Sequence, residues 1–181
     1  MRIIAGKYRS RKLVTLDGKQ TRPTLDSTKE AIFSSLGGYI PGYTVLDVFG
    51  GSGALSIESL SRGAEKAYII DANPEAINII KTNQKNLKIG NELVVIQGRY
   101  ENVLSRLKNI KFDLVFLDPP FRMKVCEEIT RYLIENDMIA DGGCIMMEYP
   151  KEDVVEHDYE GFKVKLCRRY ASSEILIIEK E

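Results

Sequence analysis

Histidine is all but missing: His157 is the single one among 181 residues, and it sits in a polar stretch. Catalysis or metal ligation built on imidazole therefore has almost nothing to work with, and His157 reads as a surface residue. Cysteine is scarce too. Cys126, Cys144 and Cys167 are odd in number and form no C-x-x-C pair, which suits a reducing compartment and argues against a structural zinc site. No apolar run approaches the length needed to span a bilayer, and no leader with an apolar core opens the chain. The expectation is a cytoplasmic protein of one well-buried domain.

Net charge is also lacking, with 26 basic residues against 26 acidic ones. That balance hides an asymmetry. Residues 1–30 hold eight Lys/Arg against Asp17, Asp26 and Glu30, a local +5, and the remainder carries −5. Positive charge concentrated at one end of an otherwise acidic chain points to a polyanion partner, although a lysine-rich hairpin kept soluble by its charge fits equally.

What is present is alternation. "MRIIAGKYRSRKLVTLDG" offers short strand-like runs separated by Gly6 and closed by an Asp17-Gly18 turn signal. In "RPTLDSTKEAIFSSLGG", Ser27 and Glu30 fit a capping box, and an apolar helical face ends at Gly37-Gly38. From residue 44 onward strands and helices take turns: "TVLDVF", "GALSIESLSRG", "KAYIID", a helix opened by Pro74, "ELVVIQ", a short helix over 100–108, "FDLVFLD", a helix over 124–136, and "GCIMMEY". A strand pair near 162–169 and 174–180 completes the order. Such alternation predicts an α/β fold with a parallel sheet covered on both faces. Asp47, Asp71 and Asp118 each fall at or near a strand's carboxyl end, where sheets of this kind bind ligands.

"LDVFGGSGALS" places Gly50, Gly51 and Gly53 between the first core strand and its helix, allowing a tight turn and a close backbone approach by a ligand. The dinucleotide fingerprint would need a third glycine where Ser56 stands, and Asp47 is awkward beside a pyrophosphate. An NAD-dependent dehydrogenase is disfavoured on both counts. Asp47 suits a ligand bearing a cationic amine or sulfonium, and Asp71 suits ribose hydroxyls. S-adenosylmethionine answers both. In "FLDPPF" the prolines must end the strand. The resulting turn presents the Asp118 carboxylate, the Pro119 carbonyl and the Phe121 ring. Two acceptors there can grip an exocyclic amino group, turn its lone pair toward a sulfonium methyl and stabilise the charge that develops. Phe121 can stack on the base once it leaves its helix.

The chain resembles class I S-adenosylmethionine-dependent methyltransferases with a [DN]-P-P-[FY] motif, and is most similar to the RsmD family. "MRIIAGKYRSRKL", "TRPTLDSTKEAIF", "LDVFGGSGALSIESLSRGA" and "FDLVFLDPPF" carry the resemblance, the first two being its specific parts. It implies a Rossmann-like class I methyltransferase fold: a mainly parallel seven-stranded sheet, an antiparallel C-terminal strand pair and an N-terminal β-hairpin extension. It divides the chain into a basic hairpin over 1–22 and a methyltransferase domain over 23–181. The implied activity is methylation of the exocyclic N2 of a guanine, position 966 of 16S rRNA, by direct transfer. The implied catalytic turn is Asp118, Pro119, Pro120 and Phe121. Cofactor binding would fall to Asp47, Gly50, Gly51, Ser52, Gly53, Asp71, Tyr100 and Thr24. Arg22, Pro23, Thr24 and Asp26 match the segment leading into the cleft. RNA would meet Arg2, Lys7, Arg9, Arg11, Lys12 and Arg22, with Tyr8 available to stack. The expected partner is 16S rRNA or the small ribosomal subunit, with no membrane and no metal, and the chain acting as a monomer.

Two positions depart from the family pattern. Gly98-Arg99-Tyr100 stands where an acid or asparagine usually meets the adenine amino group, so adenine would rely on backbone or stacking. Tyr170-Ala171 replaces a tyrosine-glycine. Two other readings fit parts of the pattern: an adenine-N6 nucleic-acid methyltransferase, since D-P-P-F serves any exocyclic amine, and a non-catalytic RNA-binding assembly factor.

Overall fold

Five strands pair in parallel because a helix between each one and the next carries the chain back to the end where the strands begin. The computed structural model describes residues 1–16 and 24–181, with Thr24 and Leu25 described by backbone alone. Its elements are α1 (Thr24–Ser35), β1 (Thr44–Asp47), α2 (Ala54–Ser61), β2 (Lys66–Asp71), α3 (Pro74–Asn86), β3 (Leu93–Gln97), α4 (Tyr100–Leu104), β4 (Phe112–Leu117), α5 (Cys126–Glu135), β5 (Ile139–Pro150), β6 (Phe162–Arg169) and β7 (Ser173–Lys180). One seven-stranded sheet results, in the order β3-β2-β1-β4-β5-β7-β6. The first five strands in that order are parallel, and β7 inserts antiparallel between β5 and β6. The alternation, the parallel core and the antiparallel terminal pair all follow the sequence expectation.

The order reverses between β1 and β4, so the crevice of the sheet opens above their carboxyl ends. Asp47 lies in register with Phe116, two residues short of Asp118. Both faces of the sheet are apolar, as doubly covered parallel strands require. One face packs Val45, Ile69, Leu114 and Phe116 with Ile32, Phe33, Ile57 and Ile80; the other packs Leu46, Val115 and Leu117 with Leu104, Ile129 and Leu133.

Three expectations need correction. The helix α1 begins at Thr24, so Ser27 lies within it and is not its N-cap. The helix expected over 100–108 is helical only through Leu104, with Leu107 and Ile110 in successive turns. β5 begins at Ile139 rather than Gly143, and a register shift against β4 between Phe112 and Leu114 absorbs three extra residues of β5 between Ile139 and Cys144.

The N-terminal residues pair as a short hairpin with a single bridge between Arg2 and Lys12. Its turn falls at Gly6 to Ser10; Asp17 and Gly18 lie outside the described residues. The hairpin is docked, not projecting. Ile3 and Leu13 are buried in the core, and Lys7 N–H donates to the Ser61 carbonyl at 2.8 Å. Gly6 has φ 83°, and a Cβ there would lie 1.7 Å from the Ser61 carbonyl oxygen, so only glycine allows the contact. Among the described residues no helix is long and apolar enough to cross a membrane.

Candidate functional site

The loop from Val48 to Gly53 turns the chain from β1 into α2 at the crevice. Gly50 N–H donates to the Ile70 carbonyl at 3.0 Å. Any Cβ at Gly50 would lie 2.2 Å from Ile69 Cγ2, which fixes this position as glycine for packing as well as for access. Gly51 and Gly53 take φ of 57° and 79°, and Gly53 is the N-cap of α2. The Asp71 carboxylate at the end of β2 organises the turn. Its Oδ2 accepts from Gly51 N–H at 2.9 Å and its Oδ1 from Asn73 N–H at 2.8 Å. Asp71 therefore sits against the glycine loop, where ribose hydroxyls can reach a carboxylate with lone pairs to spare.

Asp47 is placed differently from the sequence reading. Only 2% exposed, it accepts from Ser56 Oγ at 3.0 Å. Burial, with Asp71 nearby adding to it, pushes its carboxyl up to about 7, against the opposing hydrogen bond from Ser56. It lies beneath the loop, so its influence on a bound cation runs through the field and through Ser56 instead of a direct contact. Ser56, which marked the break with the dinucleotide fingerprint, has this bond as its physical role.

The Asp118–Phe121 turn follows β4, the strand paired with β1. Asp118 and Pro120 are exposed while Pro119 is buried. Pro120 O accepts from Met123 N–H at 2.8 Å, closing a turn around Phe121 and Arg122. Phe121 is 39% exposed at its tip, and Met123 beside it is 41% exposed. Lys124, at φ 49°, pairs with Asp153 at 2.8 Å and pins the far end of the turn. The carboxylate, the proline pair and the exposed aromatic thus lie at the carboxyl end of β4, beside the strand that leads into the glycine loop. Cys126, just beyond, is buried, and its thiol is pushed up to about 12 by burial, then by Asp118. It is no nucleophile.

Tyr100 opens α4. Its ring packs on Phe49 at 5.7 Å between centroids, and its hydroxyl is 3.4 Å from Glu128 Oε1. A groove of about 340 Å³ runs between α4 and α5, lined by Tyr100, Leu104, Glu128, Ile129 and Tyr132, and shares Tyr100 with the crevice. Arg99 is exposed and paired with Glu101 at 2.8 Å. Ser52 lies in the loop with its Oγ 4.0 Å from Met1 Sδ. Arg22 and Pro23 lie outside the described residues, as does the side chain of Thr24.

Arg2, Lys7, Arg9, Arg11 and Lys12 are all exposed on the docked hairpin. Arg2 is engaged with Asp26 at 3.0 Å, and Arg11 Nη2 donates to the Asn86 carbonyl at 3.2 Å. Tyr8 is half-buried against the core, with Lys7 Nζ 4.8 Å from its ring centroid.

Sequence reasoning missed a buried ionic cluster under this hairpin. Glu58 is fully buried and accepts from Ile4 N–H at 2.9 Å, Ala5 N–H at 3.1 Å, Lys29 Nζ at 3.3 Å and Arg62 Nε at 2.8 Å. Lys29 Nζ also reaches the Arg2 carbonyl at 2.5 Å, and burial lowers its ammonium below the usual range. The available signal was Glu58 and Arg62, spaced i,i+4 in an otherwise small and apolar helix. A second network joins His157, Cys167 and Glu174, close enough for a cation. Glu174 already accepts from Tyr149 Oη at 2.9 Å and pairs with Arg169 at 2.5 Å, so a cation would have to displace the guanidinium.

A model of the family described as conserved hypothetical protein 95 matches residues 1–179. The ribosomal RNA small subunit methyltransferase D of Haemophilus influenzae is 37% identical over 154 residues, covering 84% of this chain and 80% of that one. The Escherichia coli protein of the same name is 38% identical over 155 residues, with 84% and 76% covered. A solved structure described as "Putative methyltransferase yhhF from Escherichia coli" superposes with a TM-score of 0.86 at 31% identity, covering 100% of this chain and 98% of that one.

Proposed function

The chain belongs to the conserved hypothetical protein 95 family, and from that premise we propose that it methylates the exocyclic N2 of a guanine in small-subunit ribosomal RNA. Its relatives make it a methyltransferase of ribosomal RNA that uses S-adenosylmethionine. The choice of guanine over adenine is the finer step and rests on the resemblance to the RsmD family, because a D-P-P-F turn serves any exocyclic amine. Transfer to such an amine rests on one observation. Asp118, Pro119 and Phe121 stand on a turn that follows β4, the strand paired with β1, and so lie at the same end of the sheet as the glycine loop.

The mechanism follows from what each group can do. Asp71 and the glycine loop hold the cofactor's ribose, and Asp47 biases the loop toward a positive charge. Phe121 stacks on the extruded base, and Asp118 with the Pro119 carbonyl accepts the two amino hydrogens. Bound S-adenosylmethionine would supply the methyl from its sulfonium and depart as S-adenosylhomocysteine. Asp118 and the Pro119 carbonyl would hold the amino lone pair toward that methyl, and Asp118 or water would take the surplus proton from nitrogen. Positioning and charge stabilisation supply the acceleration.

Incubating labelled S-adenosylmethionine with small ribosomal subunits from cells lacking the enzyme, then mapping the modified nucleotide, tests this. A methyl on one guanine N2 is expected. A methyl on adenine N6, or none on any nucleotide, would overturn it.

A further inference from the structure

Between the docked hairpin and the glycine loop lies one buried side chain that the reaction chemistry does not use. Asn83, on the inner face of α3, is 1% exposed. Its Oδ1 accepts from Val14 N–H at 2.8 Å, and its Nδ2 donates to the Val14 carbonyl at 2.9 Å. The same Nδ2 donates to the Ser52 carbonyl at 3.0 Å. One carboxamide thus pairs with the hairpin strand as a neighbouring strand would, and with its remaining hydrogen holds a peptide of the cofactor loop.

Ser52 is the loop residue that most needs holding. It is flanked by Gly51 and Gly53, both at positive φ, so its own neighbours impose little on its peptide. On one side Gly51 N–H is fixed by Asp71. On the other side the Ser52 carbonyl has Asn83, and Met1 of the hairpin lies against its hydroxyl. Arg11 of the hairpin adds a second tie to α3, at the Asn86 carbonyl. Movement of the hairpin is therefore transmitted to the loop through hydrogen bonds with fixed geometry.

We infer that Asn83 is a positioning residue: it sets the cofactor loop through Ser52 and makes cofactor affinity depend on what the N-terminal hairpin binds. The inference rests on the methyltransferase reading and on RNA meeting the hairpin. Coupling of this kind is reciprocal, so RNA raises cofactor affinity by the factor that cofactor raises RNA affinity.

Titration of S-adenosylhomocysteine into the parent protein and into Asn83→Ala, each with and without a small-subunit rRNA fragment, tests it. Loss of the carboxamide leaves the Ser52 and Val14 carbonyls and the Val14 N–H without their partner. A fall in cofactor affinity of about ten-fold is expected. Turnover at saturating cofactor should stay within about two-fold of the parent, because Asn83 touches neither reacting group. The parent should bind the cofactor product more tightly when RNA is present, and the variant should show no such gain. Should Asn83→Ala fail to fold, Asn83→Asp keeps the acceptor for Val14 and loses the donor to Ser52, and the same losses are expected. Affinity equal to the parent's, or a fall in turnover at saturation with KM unchanged, would overturn the role of Asn83 alone. A parent protein that binds no S-adenosylhomocysteine would overturn the methyltransferase reading as well.

Discussion

Ser56 Oγ donates to Asp47 Oδ2 at 3.0 Å inside the protein, joining the first turn of α2 to the end of β1. The bond explains how an acid 2% exposed is tolerated next to Asp71: one hydroxyl and two backbone N–H groups, of Phe49 and Ser56, offset part of its desolvation. The rest remains, and holds the carboxyl near 7.

That value gives Asp47 a measurable pH signature. The folded protein keeps the Asp47 proton up to about pH 7, whereas the unfolded chain loses it near 3.8. Across that window the native state binds more protons, so stability falls as pH rises and the loss is complete above 7. The full span is on the order of 4 kcal/mol. Asp47→Asn, which still offers Ser56 an acceptor, should be more stable than the parent at pH 8 without cofactor and similar at pH 4. A cationic cofactor favours the charged carboxylate, so parent affinity should climb toward pH 7 while the variant's stays flat. Urea unfolding and cofactor titration at pH 5, 7 and 8 check both halves. Parallel stability profiles would show that Asp47 carries no such shift.

The buried cluster around Glu58 predicts an unusually costly substitution. Two backbone N–H groups and two cations converge on this fully buried carboxylate. Removing it leaves Lys29 and Arg62, both nearly buried, without compensation, a loss of about 3–5 kcal/mol. Glu58→Ala should lower the urea midpoint accordingly and loosen the hairpin. Hydrogen exchange at Ile4 and Ala5 amides reads the loosening directly. Unchanged protection there would mean that Ile3, Leu13 and the ties to Ser61 and Asn83 hold the hairpin without Glu58.

Asp118→Ala should abolish transfer while leaving cofactor affinity within a few-fold. Asp118 follows β4, one strand from the glycine loop that follows β1 and two strands from Asp71 at the end of β2, which together organise the cofactor side. Loss of an acceptor that acts as charge develops typically costs about 10²-fold or more. Single-turnover kinetics at saturating cofactor separate this from a binding defect. Near-parental turnover would remove Asp118 from the mechanism.

Much of this was legible in the residues because period and punctuation agree. Gly63 closing α2, Pro74 opening α3 and the two prolines after β4 each act locally, so their effects appear where the sequence puts them. Asp71 at the end of β2 and the glycine loop were readable for the same reason. Less readable were features decided by partners far along the chain. Nothing near Asn83 announces that it bonds a residue 69 positions away. Nothing near Asp47 says that Ser56 will cover it, and a basic stretch gives no sign that Ile3 and Leu13, among its apolar residues, will dock it. Ser27 misled because Ser and Glu three apart mark a helix start only when the preceding turn is not already helical.

The docked hairpin frames the last prediction. Arg9, Arg11 and Lys12 are exposed on it, and of these three only Arg11 makes a side-chain hydrogen bond to the described residues. Cations held on a rigid ribbon lose little entropy on meeting phosphates, and each phosphate neutralised releases counterions. Affinity for ribosomal RNA should fall with salt at a slope of roughly 0.7–0.9 log units per contact. Replacing Arg9, Arg11 and Lys12 together by alanine should weaken RNA binding and reduce that slope. Stability should change little, because Ile3, Leu13 and the Glu58 contacts that dock the hairpin are untouched. Cofactor affinity without RNA should also hold, since Asp71 and Asn83 remain in place. Filter binding over a salt series gives the slopes. An unchanged affinity and slope would make these three residues a solvated surface and move the RNA contact elsewhere on the carboxyl edge of the sheet.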